Sequence, residues 1–337
     1  MKLDCFLQDT RIEDAGAIAS RLEANGFHGL WITETQVEPF LPLAVAATRT
    51  TRLRLGTGIA VALARSPMVA AMEAWALQRA SGGRLDLGLG TQVKAHIERR
   101  FSMPYDRPAA RIKEYVAALR HIWGAFQHEH RLSFKGDFYS FSLMSPFFDP
   151  GPIERPRIAV YLAAVNDQMF RAAGEVADGI VGHPFSTPEY LRAVGLPALE
   201  RGLARARRTR ADFMVSCPVF TLVDGSRDAA ADERYVREQL AFYASTPTYR
   251  AVLDHHGWGA IGDELSVLAR SGRFDELPRL VTPEMFDAFV TRAAGYAELG
   301  RRLRERYDGI FDRVAPYTDA TKLDADEARA LASGLAG

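Results

Sequence analysis

Two short apolar runs in this chain end alike: Leu53-Arg54-Leu55-Gly56-Thr57-Gly58-Ile59 and Leu85-Asp86-Leu87-Gly88-Leu89-Gly90-Thr91. Each reads as a strand that runs out in glycine and threonine. Such ends leave bare backbone facing whatever lies beyond the C-terminal edge. In α/β folds that edge is where ligands bind. A flat ligand with a polar rim suits it, because a broad apolar plate needs an open slot with small residues and amide or carbonyl groups along one side. Gly56, Gly58, Gly88 and Gly90 supply the small residues, and Ala163-Ala164 adds a further pair. Any one of these glycines is better explained by a tight turn; the four in two adjacent strands, with the paired alanines in the next, favour a site. Thr91 and Gln92 offer neutral hydrogen bonds. Val165-Asn166-Asp167 opens a helix, whose free N–H groups and positive dipole end suit an anion. Asp167 opposes that unless it points away.

Three side chains are candidates for proton chemistry. Glu34 follows the strand-like Gly29–Thr33, His96 lies just past Leu85–Leu89, and His183 ends Gly179–Gly182. An ionisable group at a strand's C-terminal end reads as catalytic more readily than one on an outer helix. Glu34 reads equally as an acid that anchors a loop, and a lone histidine is more often structural. Arg65 reads as a surface arginine, with a mobile cation near the mouth as the alternative. His128-Glu129-His130 and His255-His256 lack the i, i+4 spacing of a helical zinc pair, so no metal site is expected. Cys5 and Cys217 both fall in strand-like runs and are expected as buried, reduced thiols.

The elements that must carry these groups alternate regularly. Strands are expected at Lys2–Leu7, Gly29–Thr33, Leu53–Ile59, Leu85–Leu89, Arg157–Leu162, Gly179–Gly182, Met214–Val223 and Tyr307–Val314. Helices are expected between them, at Glu13–Asn25 (ended by Gly26), Leu41–Arg49, Pro67–Ala80 (capped by Ser66), Arg107–Phe126, Asp167–Ala177 (capped by Asn166), Pro188–Arg205 and Tyr296–Arg306. Eight strand–helix units with no break in composition point to a (β/α)8 barrel forming a single domain over residues 1–337. Two insertions interrupt the rhythm. Residues 127–156 are rich in aromatics and proline. Residues 227–283 carry several helical patterns after the seventh strand and so should form a lid over the mouth. The aromatics of Phe138–Phe148, with Tyr243, Tyr249 and Trp258, suggest an apolar or aromatic pocket wall.

Composition excludes several classes. Lys+Arg and Asp+Glu are equal at 42 each, so no bulk field favours nucleic acid or an anionic membrane. No apolar run approaches the ~20 residues of a membrane helix. The N-terminal MKLDCFLQD lacks the apolar core of a signal peptide, so a cytoplasmic protein is expected.

Several segments, in order, resemble the luciferase-like monooxygenase superfamily, barrel enzymes that use flavin or the deazaflavin coenzyme F420. They are Gly26-Phe27-His28-Gly29-Leu30-Trp31, Gly56-Thr57-Gly58-Ile59, Ser66-Pro67, Ser81-Gly82-Gly83-Arg84, Gly88-Leu89-Gly90-Thr91, Phe134-Lys135-Gly136-Asp137-Phe138-Tyr139 and Ala173–Gly179. Ser145–Pro152, Leu162-Ala163-Ala164 and His183-Pro184-Phe185 are most similar to the F420-dependent subgroup. The resemblance implies a cis Gly58–Ile59 peptide behind the cofactor ring. It also implies a cofactor site over Gly58, Ile59, Gly90, Thr91, Gln92, Ala163, Ala164, Val165, Asn166 and His183. Glu34 or His96 would be the proton partner, in hydride transfer to or from a small organic substrate. In the sugar-phosphate dehydrogenases of that subgroup, Asp-His stands at the Glu34-Thr35 position. A catalytic Glu and a cofactor-binding Asn align there with Val93 and His96. This chain is therefore not expected to oxidise a sugar phosphate by that mechanism. The resemblance further implies a homodimer. Two other readings stand beside this one: an FMN-dependent monooxygenase, and a cofactor-free ligand-binding barrel, which would show side chains such as Phe147-Phe148 packed into the mouth.

Overall fold

The computed structural model describes residues Met1–Gly337. Eight parallel strands form the inner wall: β1 (Lys2–Leu7), β2 (Gly29–Ile32), β3 (Arg54–Thr57), β4 (Leu85–Gly90), β5 (Ala159–Ala163), β6 (Gly179–Val181), β7 (Met214–Val219) and β8 (Arg313–Pro316). Each pairs with its neighbours in sequence. β8 returns to β1 through Lys2↔Arg313 and Leu3↔Val314, which closes a (β/α)8 barrel. Outside lie α1 (Ile12–Ala24), α2 (Phe40–Arg49), α3 (Pro67–Ala80), α4 (Pro108–Phe126), α5 (Asp167–Val176), α6 (Leu196–Arg205), α7 (Tyr296–Arg306) and α8 (Ala325–Ala336). No helix is long and apolar enough to cross a membrane.

The expected punctuation is present. Ser66 Oγ accepts from the Met68 N–H at 3.2 Å, and Asn166 Oδ1 from the Met169 N–H at 3.0 Å. Gly26 leaves α1 with φ +83°, a conformation that costs glycine little. Three strands differ from expectation. β3 stops at Thr57 and resumes at Ala60–Val61 after a cis Gly58–Ile59 peptide, the geometry that the resemblance implied. β7 stops at Val219; Thr221–Val223 leaves the barrel to pair with Thr291–Ala293, forming the base of the second insertion. β8 begins at Arg313 rather than Tyr307, because residues 307–311 still turn off α7, with Gly309 at φ +71° and Phe311 stacked on Tyr307.

The two insertions take different places. The first lies on the outer flank of the barrel. Glu114 of α4 accepts from the backbone N–H groups of Asp137, Phe138 and Tyr139, and Trp75 of α3 donates to the Gly151 carbonyl. The second follows β7 and holds its own apolar cluster, which includes Phe185, Phe220, Trp258 and Phe289. Cys5 and Cys217 are buried free thiols of the main core.

The floor of the barrel is ionic. Arg313, 1% exposed, donates to Asp4 at 2.7 and 3.1 Å and to Asp86 at 2.8 Å. Arg54 donates to Asp86 from the other side at 2.8 Å. Trp31 Nε1 and Ser216 Oγ complete the shell of Asp4, at 2.7 and 2.9 Å. Burial alone would raise the Asp86 carboxyl, but the Arg54 hydrogen bonds and the Arg313 charge hold it below its ordinary range. Breaking such a group from one side leaves uncompensated charge in a medium that solvates it poorly. Arg313→Met should therefore lower the unfolding free energy by about 3–5 kcal/mol. A urea midpoint equal to that of the native protein would show that the floor does not need this cation.

Candidate active site

Every barrel strand sends its C-terminal end to one cavity of about 1290 Å³. Its two walls differ. On the β3–β5 side the lining is small and backbone-rich: Gly58, Ile59, Gly90, Thr91, Gln92, Ala163, Ala164, Val165 and Asn166. On the β6–β8 side it is aromatic: His183, Tyr235, Phe242, Tyr243, Tyr249 and Tyr317. Most of these tyrosines come from the second insertion. Gly56 and Gly88 are not part of the cavity, contrary to the reading of all four glycines as a ligand slot. A Cβ on Gly56 would sit 2.2 Å from the Trp31 ring, and one on Gly88 2.0 Å from the Thr57 carbonyl oxygen. Their smallness serves packing inside the barrel, where Trp31 fills the space.

The α5 end of the site is built for an anion. Asn166 caps the helix with Oδ1, so its Nδ2 remains free to donate. The first amides of α5 have no partners within the helix. Asp167, the residue that could repel an anion, turns away to pair with Arg201 on α6 and does not line the cavity. Thr10 and Thr33 also face this cavity, and both have buried Oγ1 atoms with no hydrogen-bond partner. A rim of free amides and hydroxyls beside small residues fits a flat cofactor with an anionic tail.

Glu34 lines the cavity, but its carboxylate is occupied. Oε2 accepts from the Val61 N–H and from Arg65 Nη1, each at 2.7 Å, and Oε1 from Arg65 Nη2 at 3.1 Å. Arg65 is correspondingly neither a surface arginine nor a mobile cation; it is largely buried. The geometry is that of an acid anchoring the segment beyond the cis peptide. His96 is exposed on the short helix Lys94–Arg99 and does not line the cavity. The turn at Gln92, with φ +56°, carries the chain outward before His96 is reached.

His183 does reach the site. It is wedged between Tyr249, stacked at 4.4 Å, and Tyr243, edge-on at 4.6 Å. Its Nδ1 accepts from the Phe185 N–H at 3.1 Å, and its Nε2 meets Tyr249 Oη at 2.9 Å. The sequence reading of Tyr243 and Tyr249 as pocket wall agrees with this. Trp258 does not share that role: it stacks on His256 at 4.4 Å inside the insertion. Nor do the aromatics of Phe138–Phe148, which ride on α4; Phe147 is 88% exposed, and neither it nor Phe148 enters the mouth. The sequence reading missed Gln8, Gln239, Tyr235 and Tyr317. Tyr317 had a signal, since it follows β8 directly, but placing that strand too early hid it.

Burial lowers the pKa of His183 to about 3, and burial with the Arg313 charge lowers that of His28 to about 4. Both are neutral when folded but gain a proton near 6.5 when unfolded. The unfolded chain thus binds more protons below that pH, and stability falls as pH drops from 6.5 toward 4. Urea midpoints should decline between pH 7 and pH 5, and the decline should flatten in a His28→Gln/His183→Gln double variant. An equal slope in both proteins would contradict the assignment.

The family model described as luciferase-like monooxygenase matches residues 4–313. A Mycobacterium tuberculosis protein of uncharacterised function is 48% identical over 318 residues, covering 94% of this chain and 93% of that one. The 5,10-methylenetetrahydromethanopterin reductase of Archaeoglobus fulgidus is 25% identical over 291 residues, covering 84% and 83%. Among solved structures, the coenzyme F420-dependent tetrahydromethanopterin reductase of Methanopyrus kandleri superposes with a TM-score of 0.79 at 21% identity, covering 98% and 97%. An eight-stranded barrel closed through β8 and β1, a mouth lined by all eight strand ends and a family match over most of the length agree: this chain belongs to the luciferase-like monooxygenase family.

Proposed function

We propose that this protein is an oxidoreductase that uses the deazaflavin coenzyme F420 to transfer hydride to or from a small organic substrate at the barrel mouth. The observation that carries this reading is the two-sided cavity. A backbone-lined slot from Gly58 to Asn166 faces an aromatic wall, with the free end of α5 at the rim. The ring would lie over Gly58-Ile59, and its anionic tail near Thr91, Gln92 and the α5 amides. The bound deazaflavin would supply a two-electron hydride couple. The protein's own groups would do the rest. The slot would hold the ring, the insertion would narrow the mouth and limit water, and the aromatic wall would bound the substrate.

Glu34 acts in this scheme as a positioning residue. Through Val61 and Arg65 it fixes the strand end that backs the ring. Glu34→Gln would place an amide N–H against groups that already donate, so it should weaken coenzyme binding and lower thermal stability. Unchanged affinity with a slower chemical step would instead restore the proton-transfer role. Asn166→Asp keeps the helix cap but adds charge at the rim. It should weaken F420 binding by about 1–2 kcal/mol, roughly five- to thirtyfold, and less so in high salt.

The deciding experiment is titration of the purified protein with oxidised F420 and with FMN, followed by fluorescence. Saturable binding of F420 alone supports the proposal. Tight FMN binding with no response to F420 would turn the reading to the flavin monooxygenase, and no response to either would turn it to a cofactor-free barrel.

The homodimer remains part of the proposal. Leu41 on α2, Val69 and Met72 on α3, and Phe147 and Phe148 on the loop that Trp75 of α3 ties down at Gly151 are exposed apolar side chains. Light scattering should give twice the chain mass of 37.3 kDa, and Phe147→Asp/Met72→Asp should return the mass to that of a monomer. A monomeric native protein would refute it.

A further inference from the structure

Four tyrosines line the aromatic wall; Tyr235 stacks on Tyr317 at 6.1 Å, and hydrogen-bond accounting separates the hydroxyls of Tyr243, Tyr249 and Tyr317. Tyr317 Oη accepts from Gln8 Nε2 and donates to Gln239 Oε1, each at 3.3 Å. Its remaining lone pair takes the proton of Tyr243, whose hydroxyl lies 2.5 Å away. Both of those O–H protons are thus spent within the protein. Tyr249 differs. His183 Nδ1 already accepts the Phe185 N–H, so the proton of this neutral imidazole must sit on Nε2. His183 therefore donates to Tyr249 Oη, and the Tyr249 O–H proton has no acceptor in the protein. It faces the cavity, next to the β5–β6 end of the small-residue slot.

Asp9, Asp14, Asp232 and Asp319 also line the cavity, but none is hydrogen-bonded to Tyr249 or His183, so no base stands beside that hydroxyl. His183 Nδ1 is covered by Phe185, Glu34 is held by Arg65 and Val61, and His96 is outside the cavity. Burial also pushes the Tyr249 hydroxyl well above its ordinary range, so it keeps its proton at neutral pH. Oxidising an alcohol needs a group that takes the hydroxyl proton; reducing a carbonyl needs one that gives a proton to oxygen.

We propose that Tyr249, oriented by His183, is the proton donor of this site, and that its substrates are carbonyl compounds reduced by hydride. The inference rests on the deazaflavin reading for the hydride source. In the balanced step the carbonyl carbon receives a hydride from the reduced deazaflavin, which is oxidised by two electrons. The C=O π pair moves to oxygen, which takes the Tyr249 proton. The tyrosinate, still accepting the His183 N–H, regains a proton from water. That proton replaces the second hydrogen which the reduced deazaflavin releases to solvent. Tyr249 is the catalytic residue and His183 the positioning residue.

Two measurements on the cofactor-free protein and one on the loaded enzyme test this. The ¹⁵N shifts of the His183 ring should show a protonated Nε2 and a bare Nδ1 at pH 7. With cyclohexanone as probe at saturating concentration, the bound carbonyl stretch should move to lower frequency, and Tyr249→Phe should abolish the shift. His183→Phe should leave the band present but broadened, as expected when the hydroxyl loses its orientation. With reduced F420 bound, Tyr249→Phe should slow cyclohexanone reduction by about 10²–10⁴-fold while F420 affinity is unchanged. An Nδ1–H tautomer, no shifted carbonyl band in the native protein, or a band or rate that survives Tyr249→Phe would overturn the proposal. Failure of F420 to bind would remove the deazaflavin reading alone, because the carbonyl band decides the role of Tyr249 without it.

Discussion

Arg313 holds the barrel together from its interior. Its guanidinium bridges Asp4 on β1 and Asp86 on β4, and Arg54 on β3 balances the second carboxylate. The four charges cancel as a group and are nearly all removed from water, so the arrangement tolerates little displacement of any member. Around it, Trp31 stacks on Phe6 at 5.5 Å and meets Tyr161 edge-on at 5.2 Å. This filled, polar-centred floor ties together strands that are distant in sequence. It leaves only the C-terminal half of the barrel open, where the cavity of about 1290 Å³ lies.

The two walls of that mouth have different origins. The β3–β5 wall is made by the barrel itself, through short residues at strand ends and the start of α5. The β6–β8 wall is borrowed, since Tyr235, Tyr243 and Tyr249 all come from the insertion after β7. The insertion packs into an apolar cluster separate from the main core, which it shares with Phe185, Tyr190, Phe220 and Leu222 at the rim of the barrel. A slot built from the barrel's own strand ends faces a wall supplied by an inserted segment, an arrangement that a barrel with its loops at one face makes available. The first insertion, though denser in aromatics, has no part in it. It descends from α4 and is held on the flank by Glu114 and Trp75.

Position at the mouth does not by itself leave an ionisable group free to exchange a proton. Glu34 and His96 both follow strands that point at the mouth, and each fails as a free proton carrier for a separate reason. One carboxylate is already held by three donors, and the other side chain has been carried past the rim. His183 stays as a cavity residue, but as the neutral partner of a tyrosine rather than as an acid or base in its own right.

Local chemistry was legible in the sequence wherever it is decided by neighbours in the chain. Ser66-Pro67 and Asn166-Asp167 mark helix starts, Gly26 marks an end, and the alternation of periods marks the barrel. The β3 and β4 strand ends, Gly58 to Ile59 and Gly90 to Gln92, could be assigned to the mouth for the same reason. What the sequence could not decide depended on partners far away in the chain. Asp4 and Arg313 are separated by 309 positions, Glu34 and Arg65 by 31, and His183 and Tyr249 by 66. Whether an ionisable group is free to react depends on which donors and acceptors surround it. Only tertiary packing brings those partners to it: Gly56 and Gly88 pack against Trp31 and Thr57, Glu34 meets Arg65 and the Val61 amide, and Tyr249 meets His183.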